Sequence, residues 1–136
     1  MNEPGRLPKL DPGQTLPRRY RIRRRREYQK VQTEGARFST RHLVILWARS
    51  RWGATRLGVT VSRKVAKQAC RRNRIKRWIR EAFRRLPRNP ADDPIIDMVV
   101  IARPPSVEAT YQDVAEQIRR FWSQPGLPRR SARGPR

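Results

Sequence analysis

Between Arg63 and Arg88 the chain carries twelve Lys or Arg residues and a single acid, Glu81. The same stretch has a helical period. Ile75, Trp78, Ile79, Ala82, Phe83 and Leu86 fall at i, i+3, i+4, i+7, i+8 and i+11, the stripe of a helix over about Ala69 to Leu86. At about 100° per residue, Asn73, Arg77, Arg80 and Arg84 lie within about 60° of one another on the opposite side, flanked by Arg74 and Lys76. One face must be buried while the other keeps a ridge of cations. A merely solvated helix face carries alternating signs and i,i+4 ion pairs, and Glu81 alone supplies the other sign here. Such a ridge is electrostatically unfavourable until a polyanion meets it.

The rest of the chain points the same way. It has 136 residues and a formal net charge of +23, from 34 basic and 11 acidic residues. By segment the charge is 0 over 1–17, +7 over 18–30, +4 over 31–62, +11 over 63–88, −5 over 89–118 and +6 over 119–136. Of the basic residues, 29 are Arg and 5 are Lys. Arg forks onto phosphate and stacks on bases, which favours nucleic acid over a membrane surface as the partner. The length fits one domain. No apolar stretch is long enough to span a bilayer, and no signal-peptide pattern opens the chain. Cys70 stands alone, which excludes a disulfide framework or a thiolate metal site and fits a cytoplasmic protein.

Residues 1–17 hold four prolines and no period, and read as a disordered tail. Arg18 to Glu34 lacks breakers and reads as a basic helix with a thin stripe of Ile22, Tyr28 and Val31, capped by Gly35. A short strand follows near Phe38 to Thr40. Leu43 to Ala48 is a continuous apolar run, as in a strand buried on both faces. Ser50 to Ala54 reads as a hairpin connection. Then Leu57, Val59 and Val61 alternate with Arg56, Gly58, Thr60 and Ser62, giving one core face and one polar face. Ile95 to Ala102 is a further strand. Thr110 and Asp113 make a capping box for a last helix with a stripe of Tyr111, Val114, Ala115, Ile118, Phe121 and Trp122. The folded body is expected over 18–123, followed by a basic disordered tail over 124–136. The fold class is α/β (an α+β two-layer sandwich) in the order α-β-β-β-α-β-α, with helices on a small mixed sheet.

The stretch RNRIKRWIREAFR, preceded by LGVTVSRKVAKQACR, resembles the signature of the bacterial ribonuclease P protein component. RREYQKVQTEGARFSTRHLVIL and the late VVIARP strand extend the likeness to about residues 18–123. The resemblance implies a left-handed βαβ crossover, against the usual hand, in a ribosomal protein S5 domain 2-like fold. It implies a subunit of an endoribonuclease that removes the 5′ leader of precursor tRNA, with the chemistry carried by an RNA subunit and Mg²⁺. It implies a monomeric protein in a 1:1 ribonucleoprotein. Arg63, Lys64, Lys67, Arg72, Asn73, Arg74, Lys76, Arg77, Arg80 and Arg84 would then meet the catalytic RNA. The single-stranded leader would lie between the first helix and the sheet, near Tyr28, Phe38, Trp47, Arg56 and Thr60. Gln32 stands one turn after Tyr28, where many relatives carry Phe.

Independent protein chemistry has little to work with. His42 is the one histidine, placed at a strand end, and Asp92 and Asp93 precede Pro94 in a turn. No catalytic or metal-ligating set is expected from the protein. The competing reading is a structural RNA-binding protein of ribosomal type, which would share the basic helix but have no use for a leader groove. Trp47 and Tyr28 each have a core-packing reading beside the functional one.

Overall fold

A computed structural model of the protein describes residues 20–22, 24–51, 54–87 and 93–128. The two terminal tails, Arg18, Arg19, Trp52, Gly53 and Asp92 lie outside the described residues. The elements are α1 (Arg25–Glu34), β1 (Ala36–Ser39), β2 (Leu43–Arg49), β3 (Arg56–Thr60), α2 (Ala69–Arg84), β4 (Ile96–Ala102), a 3-10 turn at Pro104–Glu108, and α3 (Tyr111–Trp122). This is the expected order. The four-stranded sheet runs β1-β2-β4-β3; β4 pairs antiparallel with β2 and parallel with β3. α2 is therefore the crossover of a parallel βαβ unit.

Two expectations are corrected. The Ser50–Ala54 segment is not a hairpin connection, because β4 lies between β2 and β3. The first helix begins at Arg25 rather than Arg18. Ahead of it the chain is extended beside β3: Arg21 bridges Leu57 in parallel, and Ile22 N donates to Leu57 O at 2.9 Å. Tyr20 and Ile22 are buried there. A free strand edge is a template for aggregation, and this short segment covers it.

The register sorts the sheet into two faces. Ala36, Trp47, Met98 and Leu57 form one row, and Phe38, Ile45, Val100 and Val59 the next, on the face that packs against α2 and α3. Phe83 and Phe121 are fully buried in that core; Phe121 meets Phe38 at 5.5 Å, and Phe83 meets Trp122 edge-on at 6.3 Å. On the other face α1 crosses over Val99, Leu46 and Ile101, with Ile22 and Val31 beneath it. Gly35 ends α1 by donating to Val31 O at 2.8 Å. Its φ of −82° is an ordinary value. Glycine is required there by close approach, since a Cβ would sit 2.7 Å from Trp47 O.

α3 is fixed at both levels. Its capping box forms as expected, Asp113 N donating to Thr110 Oγ1 at 3.2 Å and Thr110 N to Asp113 Oδ2 at 3.0 Å. Accepting the Thr110 N–H holds the Asp113 carboxyl below the usual carboxylate range. The cap is thus complete at neutral pH, and its carboxylate half weakens as pH falls through that lowered value. Buried Gln117 accepts from His42 N at 3.2 Å and from the Thr40 hydroxyl, and its amide lies 2.6 Å from His42 Nδ1. An amide nitrogen can only donate, so Nδ1 is the acceptor. The body also runs past Trp122: Leu127 is buried, and Ile95 N donates to Pro128 O at 2.9 Å. The expected boundary at 123 is therefore five residues short of Pro128.

Candidate nucleic-acid interface

α2 has the two-sided character its period predicts. Ile75, Ile79, Ala82 and Phe83 are buried, whereas Asn73, Arg74 and Arg77 are exposed and Lys76 is half-buried. Arg63, Lys64 and Lys67 are exposed on the loop that leads into the helix. These seven cationic or amide side chains form the continuous polar ridge.

Three ridge candidates are tied up or displaced. Arg84 and Arg85 both pair with Glu81, and the Arg84 side chain is only 9% exposed. The one acid of the run thus offsets half of the charge at its far end. Bonds and attraction from Arg84 and Arg85 hold Glu81 below its ordinary pKa. Arg72 Nη1 donates to Ala66 O at 3.0 Å and Lys67 O at 2.7 Å, bracing the β3–α2 loop. Arg80 is half-buried, and its pKa is lowered by burial and by the neighbouring charge of Arg21. Arg80, Arg21 and Tyr28 lie within electrostatic reach of one another, so the ridge meets the α1 side of the molecule here. Sequence reasoning missed Arg21, because it sat inside a presumed helix.

The groove beside α1 has a different chemistry. Its floor is the row Ser39, Val44, Ile101 and Thr60. Ile101 and Thr60 are half-buried and Ser39 is exposed. Tyr28 forms the wall. Val59 N donates to its hydroxyl at 3.1 Å, and its ring lies on Gly58. A Cβ on Gly58 would stand 2.8 Å from Tyr28 Cε1 and Cζ. Gln32, one turn on and exposed, continues the same wall. Gly58→Ala should therefore lower stability by about 1–3 kcal/mol. Denaturant unfolding of Gly58→Ala, Tyr28→Ala and the double variant should show strong coupling, with the double variant well short of the sum.

Three groove candidates do not belong to it. Phe38 and Trp47 share rows with Ile45 and Met98 on the opposite face, so both are core-packing side chains. Arg56 is on the α1 face but buried, with Nε and Nη2 each 3.0 Å from Asp97 and Nη1 3.2 Å from Glu27. Burial opposes its charge, but the two carboxylates outweigh burial and hold its pKa above the ordinary value. Of the five, Tyr28 and Thr60 line the groove.

The sequence model of the Ribonuclease P family matches residues 16–126. The chain belongs to the ribonuclease P protein family. It is the protein subunit of a ribonuclease P, acts in tRNA 5′ processing and partners the ribonuclease P RNA. The ribonuclease P protein component of Exiguobacterium sibiricum is 33% identical over 120 residues, covering 87% of this chain and 100% of the relative. That of Clostridioides difficile is 38% identical over 93 residues, covering 68% and 80%. The solved Thermotoga maritima ribonuclease P protein superposes with a TM-score of 0.65 at 31% identity, covering 76% of this chain and 98% of that one. Partnership with an RNA accounts for a ridge whose cations form no ion pair with a described residue. Among the described residues, no helix is long and apolar enough to cross a membrane.

Proposed function

We propose that the α2 ridge grips the catalytic RNA, that the α1 groove holds the 5′ leader of precursor tRNA, and that the RNA subunit with Mg²⁺ breaks the bond. The ridge of Arg63, Lys64, Lys67, Asn73, Arg74, Lys76 and Arg77 carries this reading, because its cations form no ion pair with a described residue. Each phosphate it neutralises adds to the salt dependence of binding. The groove suits an unpaired strand: Tyr28 offers an aromatic wall fixed by Val59, and Thr60, Ser39 and Gln32 offer polar contacts.

Several of the described acids and the histidine are committed to structure. Glu27 and Asp97 hold Arg56, Glu81 holds Arg84 and Arg85, Asp113 caps α3, and His42 is bonded to Gln117. In this reading Mg²⁺ is held by the RNA subunit and substrate. In this reading the protein is a monomer in a 1:1 ribonucleoprotein. It screens phosphate repulsion and raises the effective affinity for substrate and Mg²⁺.

Reconstitution tests this. With ribonuclease P RNA and precursor tRNA at low Mg²⁺, the protein should stimulate 5′ cleavage, and more so for substrates with a leader of several nucleotides. Absence of stimulation at every Mg²⁺ concentration would overturn it.

A further inference from the structure

Where the parallel strands β3 and β4 end, the loop leaving β3 and the turn leaving β4 border one cavity of about 400 Å³, lined by Val65, Ala66, Lys67, Gln68, Arg71 and Val107. Open α/β sheets hold their ligands outside the carboxyl ends of parallel strands, and this volume is within the range of small-molecule sites. Val65 and Val107 pack on the core beneath α2 and α3, so the cavity is on the α2 side of the sheet and the leader groove on the other. Its shape is held from within. Val65 N donates to Ser62 O at 3.1 Å, and Arg72 Nη1 braces the carbonyls of Ala66 and Lys67.

The lining is of two kinds. Val65 and Ala66 are buried and Val107 is half-buried, which gives aliphatic walls. Lys67, Gln68 and Arg71 are exposed. Among the described residues no acid lines the cavity, and neither cation forms an ion pair with a described residue. Arg71 stands one helical turn before Ile75, in line with the apolar stripe rather than with the ridge. It therefore serves the cavity and not the ridge surface. Gln68 does not cap α2 with its side chain, which leaves an amide donor and acceptor at the opening.

Aliphatic walls below two cations fit a ligand with a flat apolar body and an attached anion, which describes a nucleotide. A base in a duplex is stacked and paired on both sides; an unpaired one can be splayed out and enclosed. Lys67 is also a ridge residue, so the cavity adjoins the surface that grips the catalytic RNA. We propose that it takes one unpaired nucleotide of that RNA, the base between Val65, Ala66 and Val107 and the phosphate on Lys67 and Arg71. The proposal rests on the reading of the α2 ridge and deepens it. Ridge cations hold backbone whatever its sequence, whereas the cavity encloses a base.

The full chain is tested with ribonuclease P RNA alone, using Val107→Phe to fill the cavity, Arg71→Gln, and Arg77→Ala as the ridge control. Affinity is measured over a range of KCl, and the RNA bases are probed with dimethyl sulfate and a carbodiimide. The unaltered protein should protect an unpaired base. Val107→Phe should expose that base again and weaken binding by about 5- to 10-fold, with the salt slope unchanged. Arg71→Gln should expose it too, and make the slope shallower by about 1. Thermal melts check both folds, and the exposed Arg71→Gln carries the test if Val107→Phe does not fold. Base protection kept in the folded variants, even with a shallower slope for Arg71→Gln, would overturn the nucleotide cavity. A shallower slope for Arg77→Ala in the same experiment would leave the ridge reading standing. Unchanged slopes for Arg71→Gln and Arg77→Ala would overturn both.

Discussion

Replacing Arg56 by Met is expected to destabilise the fold by about 3 kcal/mol and to lower its melting temperature by about 10–20 °C. The side chain joins three elements: β3, which carries it, β4 through Asp97, and α1 through Glu27. Removing the cation leaves two carboxylates side by side, one only 15% exposed. That is the costly way to break a buried ion pair; removing the charges together is far milder. Arg56→Met combined with Asp97→Asn and Glu27→Gln should recover most of the loss. Thermal melts of the single and triple variants check this. Equal destabilisation of the two would show that Arg56 acts through packing rather than charge.

The second large effect is functional. Arg74→Ala, Lys76→Ala and Arg77→Ala together should weaken binding to ribonuclease P RNA by at least ~10-fold near physiological salt. The salt slope should become shallower by about 2–3, one increment per lost phosphate contact. The fold should survive, because Arg74 and Arg77 are exposed and Lys76 is half-buried, all outside the apolar stripe. Arg84→Ala, by contrast, should barely move the slope, since that guanidinium is buried against Glu81 and out of reach of a phosphate. Filter binding at several salt concentrations distinguishes the two.

The contrast between Arg77 and Arg84 also shows where the sequence stops being informative. Period alone put both on the ridge. Glu81 was visible three residues before Arg84, but which of its neighbours it takes depends on rotamers that the spacing does not set. The α2 and α3 stripes were legible because a helix buries a fixed angular sector. Long-range pairing was not. Strands β2 and β3 are adjacent in sequence, but β4 enters between them from 36 residues after β3 ends. Alternation likewise reported that Phe38 and Trp47 each alternate sides with their neighbours, but not which side α1 covers. Arg56 looked like a polar-face residue open to RNA. Its partners, Glu27 and Asp97, lie 29 and 41 residues away in the chain. Tyr28 was found by resemblance; the reason Gly58 must be glycine emerges only when its ring is seen lying on that residue.

A photo-reactive side chain at position 77, with a second variant carrying it at position 32, tests the central claim most directly in the assembled enzyme. Position 77 should cross-link to the ribonuclease P RNA, and position 32, beside Tyr28, to the leader of precursor tRNA. Cross-links from position 77 to the tRNA body alone, or to no RNA at all, would contradict the account.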